Sequence, residues 1–231
     1  MVAESTQERA PLSKERVLQA AVDLADEAGI EALTMRGLAD RLGVEAMSLY
    51  YHVANKEAML DGVVDMIVTE ISEAADEAAP PSGGADWKTT MRNRILAARE
   101  VLLRHKWAPA VMETRTSVGP ATLRYYDDLL RVFREGEFSY DLAHHAMHAL
   151  GSRALGFTQE LFDPADQETG DEDMEAEMAA MAEELPHLVE MLMEISHEGA
   201  ETTLGWCDDQ TEFEFGLDLL LDGLERLREP A

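Results

Sequence analysis

Apolar residues recur at intervals of three and four along almost the whole chain, and this spacing constrains the fold more than any other feature. A period near 3.6 places such residues on one face of an α-helix, whereas a half-buried strand needs strict alternation. The sequence has no convincing run of alternating β-branched residues. The spacing therefore predicts an all-α protein.

Capping residues and glycines mark where the first two helices begin and end. Ser13 and Thr34 each precede a segment with apolar periodicity, and Gly29 and Gly43 follow these segments. Serine and threonine hydroxyls accept hydrogen bonds from the free N–H groups of a first turn, and glycine adopts the backbone conformation that ends a helix. The two segments are therefore predicted to be separate helices.

Two more helices are expected before the clearest linker in the chain, the Pro- and Gly-rich segment 80–84. The third helix is short and covers about residues 45–51. Asn55 caps the fourth helix, which must end before the prolines because they cannot continue it. The remaining helices are expected at about residues 86–105, 120–134, 139–162, 174–197 and 211–228, with a broken stretch at 107–114.

Acidic residues outnumber basic ones by 47 to 19, which gives a formal net charge of −28. Taken alone, this charge argues against a nucleic-acid partner, because the phosphates of DNA repel an acidic protein. The first 60 residues, however, hold 6 basic and 10 acidic residues, whereas the remaining residues hold 13 basic and 37 acidic ones. The acidity therefore belongs to the C-terminal part. Its extreme, segment 163–184, is expected to contain a solvated loop, with a cation or partner site as the alternative.

Several classes of protein do not fit the composition. The single cysteine, Cys207, excludes a disulfide framework and a cysteine-rich zinc module, and it is expected to be a small buried residue. No apolar run reaches the roughly 18 residues of a membrane span. The polar start of the chain is unlike a signal peptide. We expect a cytoplasmic protein that uses no cofactor.

Residues 34–53 have the layout of a helix-turn-helix. The helix capped by Thr34 meets a tight turn at Gly43, and the short third helix follows. In this motif the second of the two helices enters the major groove of DNA. Leu49 is expected to face the core, and the two adjacent tyrosines after it are placed to reach phosphate oxygens.

Segment 13–71 resembles the DNA-binding domain of the tetracycline-repressor (TetR) family of transcriptional regulators. The resemblance rests on Leu33-Thr34-x-Arg36-x-Leu38-Ala39-x-x-Leu42-Gly43-Val44 and Ser48-Leu49-Tyr50-Tyr51-His52-Val53-x-Asn55-Lys56. The second run is nearest the branch of the tetracycline repressors themselves. The resemblance implies an all-helical homodimer that binds palindromic operator DNA and is released by a small-molecule effector in its C-terminal domain.

The resemblance also implies an order of domains. Residues 1–12 are an N-terminal arm, residues 13–60 the three-helix DNA-binding domain, and residues 61–231 a helical domain for ligand binding and dimerisation. We expect a repressor. The alternatives are a DNA-binding protein without a ligand, and a helical small-molecule-binding protein or enzyme that does not bind DNA. The absence of a phosphate loop, a nucleophile elbow and a His-Glu-x-x-His motif argues against an enzyme.

Matching the motif residue by residue implies a set of DNA contacts. Thr34 and Arg36 match a helix cap and a side chain that touches phosphate or base, and Lys56 matches a phosphate-binding lysine at a helix N-terminus. Ala46 and Met47 depart from relatives that place a polar, base-reading side chain there; we expect them to touch a thymine methyl group. The implied set is Thr34, Arg36, Ala46, Met47, Ser48, Tyr50, Tyr51, His52 and Lys56.

A ligand site can be outlined in the C-terminal domain. Methionine adapts to irregular apolar shapes, and together with aromatic residues it could line a cavity for a bulky, mainly apolar molecule; an ordinary core is the alternative. Glu113 is the loose counterpart of the family's metal-coordinating histidine, yet neither tetracycline nor a bound metal is expected. The expected lining is Met91, Trp107, Met112, Glu113, Thr116, Phe133, Met147 and Phe157.

Two predicted helices, 139–162 and 211–228, carry a four-three spacing of apolar residues that suits near-parallel helix packing. The resemblance assigns the four-helix bundle of the family's dimer to the same two helices. Packing within one chain is the alternative. The expected interface is Ala143, Met147, Leu150, Ala154, Phe213, Leu217, Leu220 and Leu224.

Three neighbouring histidines, His144, His145 and His148, raise the question of a metal site, because side chains at i and i+4 share one face of a helix. No cysteine or well-spaced carboxylate completes a ligand set in the sequence. We expect these histidines to be buried or at an interface.

Overall fold

A computed structural model describes residues 11–78, 86–156, 184–187, 189–190 and 209–228. Every regular element within these ranges is helical, which confirms the predicted all-α class. The α-helices are α1 (Lys14–Ala28), α2 (Met35–Leu42), α3 (Ala46–Leu49), α4 (Lys56–Glu77), α5 (Trp87–Arg104), α6 (Ala108–Glu113), α7 (Pro120–Glu135), α8 (Tyr140–Gly156) and α9 (Asp209–Leu227).

The predicted capping residues begin the helices as expected. Ser13 Oγ accepts a hydrogen bond from Arg16 N at 3.2 Å, and Thr34 Oγ1 accepts one from Gly37 N at 3.0 Å. Asn55 Oδ1 accepts one from Ala58 N at 2.8 Å at the start of α4. Each side chain satisfies one of the N–H groups that a first turn leaves without a partner.

Two of the predicted elements were wrong in extent or type. The third helix covers only Ala46–Leu49, and Tyr50 continues it as a turn. The stretch predicted to be broken contains the helix α6, which has Pro109 in its first turn. Proline lacks an N–H group, and a first turn leaves such groups unpaired, so proline starts a helix here instead of interrupting it.

Residues 1–143 form one compact unit and residues 144–231 a second. In the first unit, α1 packs on α2 and α4, and the helices α4, α5 and α7 contact one another. Gly62 allows the close approach of α1, because a Cβ atom at this position would lie 2.7 Å from Leu18 Cδ2. The predicted domain border after residue 60 lies within α4, and the division into domains stays a prediction.

The second unit holds most of α8 together with α9. These helices meet at Arg153, whose Nη2 donates to the backbone oxygens of Glu212 and Phe213. The guanidinium carbon of Arg153 lies 5.2 Å from the centre of the Phe213 ring. The apolar stripes of the two helices are buried here at Ala146, Leu150, Ala154, Phe213, Leu217, Leu221 and Leu224.

Several predictions fall on residues outside the described ranges. These are Phe157, Cys207, the acidic segment 163–184 apart from its last residue, and most of the helix expected at 174–197. In the part of the chain that the structure does describe, no helix is long and apolar enough to cross a membrane.

Candidate functional site

The turn between α2 and α3 is built around Gly43, which has φ 64° and ψ 42°. This left-handed backbone is strained for residues with a side chain and open to glycine. The Val44 N–H then bonds to the Ala39 oxygen at 3.0 Å and folds the chain back over α2. Leu49 and Val53 are buried beneath the turn, so the opposite side of α3 is held outward.

The outward side of α3 and the turn after it is largely aromatic and apolar. Met47 and Tyr50 are exposed, and Tyr51 keeps 87% of its surface accessible. Ala46, Ser48 and His52 are half-buried. Met47 on α3 and the two tyrosines in the turn after it therefore project outward from the segment that the motif would insert into a groove.

Basic side chains border this surface on two elements. Arg36 is exposed in the first turn of α2, next to the capping residue Thr34, and Lys56 is exposed as the first residue of α4. Within the described residues, neither has an acidic partner. Arg41, in contrast, makes a two-armed salt bridge to Glu27 with both distances at 2.6 Å. Arg36 and Lys56 are thus the cations available to a phosphate backbone.

The residues predicted to line a ligand site differ in burial, and the site stays a prediction. Met91 and Phe133 are buried in the first unit, and Met112 and Met147 are half-buried. Glu113 and Thr116 are exposed. Trp107 is buried, but its indole N–H donates to Asp26 at 2.6 Å, so its polar atom is already engaged.

Phe133 belongs to an aromatic cluster with Trp87 and Phe138. The Trp87 ring centre lies 6.2 Å from that of Phe133 and 4.6 Å from that of Phe138, and the two phenylalanine rings are 5.1 Å apart. Phe133 and Phe138 are fully buried. Tilted and edge-on contacts of this kind are favourable for aromatic rings. The cluster favours a core role for Phe133.

A charged cluster that the sequence did not predict joins α1, α4 and the end of α5. His105 Nδ1 lies 2.8 Å from Asp26 Oδ1, and its Nε2 lies 3.1 Å from Glu70 Oε2. Each ring nitrogen of His105 therefore faces a carboxylate oxygen. Asp26 also accepts from Trp107, and Glu70 from Arg104. Because 79 residues separate Asp26 from His105, no local pattern could have indicated the pair.

Glu70 is ionised within this cluster. Burial alone would raise the pKa of its carboxyl group, but the hydrogen bond from Arg104 and the nearby His105 together hold that pKa below its ordinary value. The cluster therefore contains two carboxylates, a guanidinium and a histidine that bridges them. It fixes α1, which supports the helix-turn-helix, to α4 and to the α5–α6 connection.

A cleft of about 610 Å³ lies beside the cluster, between α1, α4 and α7. Its lining mixes acidic residues such as Asp23, Asp65 and Glu73 with basic residues such as Lys14 and Arg124. None of the described residues predicted for the ligand site lines this cleft. Apolar residues such as Leu18, Val22 and Ile67 complete its lining.

The helices predicted to form the dimer bury most of their stripe inside one chain. Ala143, Leu150, Ala154, Phe213, Leu217 and Leu224 have little accessible surface, whereas Met147 and Leu220 are half-buried. The large apolar side chains that α9 exposes are instead Phe215, Leu219 and Leu227. The interface stays a prediction, and any partner would meet these exposed residues first.

The three histidines of α8 are exposed, so the expectation of burial was wrong and only the interface alternative stays open. The ring of His144 lies 4.6 Å from that of His148 and 5.6 Å from that of His145. Among the described residues, no three His, Cys, Asp or Glu side chains are placed to hold a metal ion.

Two family models match the chain in succession. Residues 17–63 match "Bacterial regulatory proteins, tetR family", and residues 79–228 match "Tetracyclin repressor-like, C-terminal domain". The first match covers the helix-turn-helix together with Arg36 and Lys56, which border its exposed surface. The second match begins after α4. Together they cover most of the chain.

Individual relatives agree with the family models over nearly the full length. The class D tetracycline repressor protein of Escherichia coli is 31% identical over 94% of this chain and 90% of its own. A possible TetR family transcriptional regulator from Streptomyces coelicolor A3(2) superposes with a TM-score of 0.73 at 32% identity, over 94% of this chain and all of its own. ActR from Streptomyces coelicolor, solved in complex with actinorhodin, superposes with a TM-score of 0.73 at 25% identity. The superposition covers 96% of this chain and all of ActR.

These matches agree with the local geometry. The turn at Gly43, the buried Leu49 and the outward tyrosines form a helix-turn-helix in the segment where the family model places one. The chain belongs to the tetR family of bacterial regulatory proteins, and it is a ligand-responsive, DNA-binding transcriptional repressor that acts as a dimer.

Proposed function

We propose that each protomer places α3 in the major groove of a palindromic operator in the cytoplasm and thereby represses transcription. The observation that carries the proposal is the exposed surface of Met47, Tyr50 and Tyr51, with Arg36 and Lys56 free beside it. Dimeric helix-turn-helix proteins read two half-sites about one helical turn, roughly 34–36 Å, apart. The chain carries out no catalysis in this role.

The contacts fall into two groups by their chemistry. Lys56, at the N-terminus of α4, and the hydroxyl groups of Thr34, Ser48, Tyr50 and Tyr51 suit phosphate oxygens. Ala46 and Met47 offer only apolar contact, which suits a thymine methyl group. Arg36 is the best candidate for a hydrogen bond to a base edge, and His52 completes the proposed set.

Footprinting on the DNA upstream of its own gene tests the proposal. We expect one protected palindrome at low salt, and we expect Arg36→Ala and Tyr50→Ala each to weaken its binding about 10- to 100-fold, because a lost base or phosphate contact costs about 1–3 kcal/mol. Arg131→Ala is the matched control, since it removes an exposed arginine from α7. Absence of a protected palindrome would contradict the proposal.

We further propose that a small, mainly apolar effector releases the operator. A ligand can do so only by binding the released conformation better than the DNA-bound one. The similarity to ActR, which was solved with a bound small molecule, supports this. Addition of the effector should abolish the footprint and raise the melting temperature of the free protein. A footprint that no stabilising compound removes would favour DNA binding without ligand control.

The dimer interface is proposed to lie on α8 and α9, with the exposed Phe215 and Leu219 at its centre. The two side chains are four residues apart and therefore share one face of α9. Leu219→Glu is expected to weaken dimerisation at least about tenfold, because it buries a charge at the contact. Sedimentation velocity measures this. Leu123→Glu, at an equally exposed position of α7, should leave the dimer intact, and dissociation by this variant instead would refute the assignment.

A further inference from the structure

Arg94 is a buried cation in the middle of α5. Only 2% of its surface is accessible. Its Nη1 donates to Asp76 Oδ1 at 3.0 Å, but the Asp76 side chain is 67% exposed and remains hydrated. A carboxylate in water is a weak counter-ion, because the solvent screens its charge. The positive charge of Arg94 is therefore only partly balanced.

Among the described residues, one whole edge of the Arg94 guanidinium has no hydrogen-bond partner. Its Nε and Nη2 atoms are both buried, and neither makes a hydrogen bond. An unpaired buried donor is unfavourable, and more so when it is charged, so folded proteins rarely keep one without a functional reason. The Nε–Nη2 edge has the two parallel N–H groups that match a carboxylate or a similar planar anion.

The nearest aromatic group does not supply the missing negative charge. The guanidinium carbon lies 6.0 Å from the centre of the Tyr125 ring. Burial raises the pKa of Tyr125 to about 12, so its phenol stays neutral at physiological pH. The neutral ring can attract the cation through its face, but the Nε and Nη2 atoms of Arg94 make no hydrogen bond to the Tyr125 hydroxyl group.

We propose that the effector of this regulator is an apolar acid whose carboxylate, or an equivalent planar anionic group, binds the Nε–Nη2 edge of Arg94. The inference rests on the proposed ligand response and gives that ligand a chemical class. Met91 and Ala98 lie three and four residues from Arg94 on α5, and both are buried. Their positions on the same helix face suit the apolar body of such a molecule.

Paired probes test the proposal on the full-length dimer. The probes are 2-naphthoate and octanoate with their primary amides, and acetate at equal ionic strength. Calorimetry and thermal unfolding should show that an aromatic or aliphatic acid binds at least about tenfold more tightly than its amide, because the amide loses the charge-assisted pair. Equal binding of acid and amide, no binding of either acid, or equal binding of acetate would overturn the proposal.

Variants of Arg94 assign any acid binding to this residue. Arg94→Met should remove the preference for acid over amide, and Arg94→Lys should weaken it, because lysine keeps the charge without the two-donor edge. Ligand-free Arg94→Met should unfold at the same temperature or higher, because the variant removes a buried charge that is only partly balanced. Asp76, which loses its partner, is exposed and stays hydrated. Arg99→Met is the matched control. Arg99 lies on the same helix and is as buried as Arg94, but it has interaction partners, so its replacement should lower the melting temperature. An unchanged acid preference in Arg94→Met would refute the assignment.

The operator footprint of the wild-type protein separates the two possible failures. If the palindrome is protected but acids bind no better than amides, the effector class is wrong and the regulator stands. If no palindrome is protected, the proposed operator binding fails. The Arg94-dependent preference for acids is then decided by the calorimetry and thermal unfolding alone.

Discussion

Phe133→Ala is expected to lower the free energy of unfolding by about 3–5 kcal/mol, the usual cost of removing a buried phenylalanine side chain. Phe133 is fully buried and lies against the rings of Trp87 and Phe138. The alanine variant loses these contacts and leaves a cavity that helices α5 and α7 can only partly close. Urea unfolding followed by circular dichroism measures the change.

Two further variants show whether Phe133 acts as core or as ligand lining. Phe133→Leu keeps most of the volume and should cost less than about 1.5 kcal/mol. Leu123→Ala, on the exposed side of the same helix, should change stability by no more than about 0.5 kcal/mol. A Phe133→Ala protein that retains its stability but loses its response to the effector would show that Phe133 lines the ligand site.

Asp26→Ala is expected to lower the free energy of unfolding by about 2–4 kcal/mol, because it leaves the buried His105 ring and an indole N–H without their hydrogen-bond partner. Asp26 accepts from His105 Nδ1 and from Trp107 Nε1. The change also detaches α1 from the α5–α6 connection. We therefore expect a lower melting temperature together with weaker operator binding, measured by differential scanning calorimetry and fluorescence anisotropy.

The neighbouring Glu27 provides a matched control. Its salt bridge to Arg41 has two short hydrogen bonds but lies on the surface, so Glu27→Ala should lower the melting temperature much less than Asp26→Ala does. Asp26→Asn keeps one oxygen that can accept a hydrogen bond. Its melting temperature should therefore lie between those of Asp26→Ala and Glu27→Ala. Equal stability of Asp26→Ala and Glu27→Ala would show that the buried cluster contributes nothing beyond a surface pair.

Local sequence signals were sufficient wherever neighbouring residues decide the structure. Ser13, Thr34 and Asn55 bond to N–H groups three residues further on, so the starts of α1, α2 and α4 could be read from the sequence. The turn at Gly43 could likewise be predicted from the residues next to it. The same signals wrongly predicted a broken stretch at 107–114, where α6 has Pro109 in its first turn, because whether a proline starts a helix or interrupts it depends on how the surrounding chain is held.

Side-chain burial could be predicted only in part. The four-three stripe of α9 was identified correctly as apolar, but Phe213, Leu217 and Leu224 are buried in the single chain, and Phe215 and Leu219 on another face are exposed. A periodic pattern shows which residues share a helix face. It does not show whether that face meets the same chain or another one, because both are equally apolar environments.

The sequence by itself determined the helical class, the capped helix-turn-helix with its outward tyrosines, and the family. These depend on spacings of a few residues and on a motif that is continuous in the chain. Only the tertiary structure decided that Asp26, Glu70 and His105 form one charged cluster, and that Arg94 is buried with a donor edge unpaired. Both depend on helices brought together across tens of residues, where burial makes each charge costly and its partners decisive.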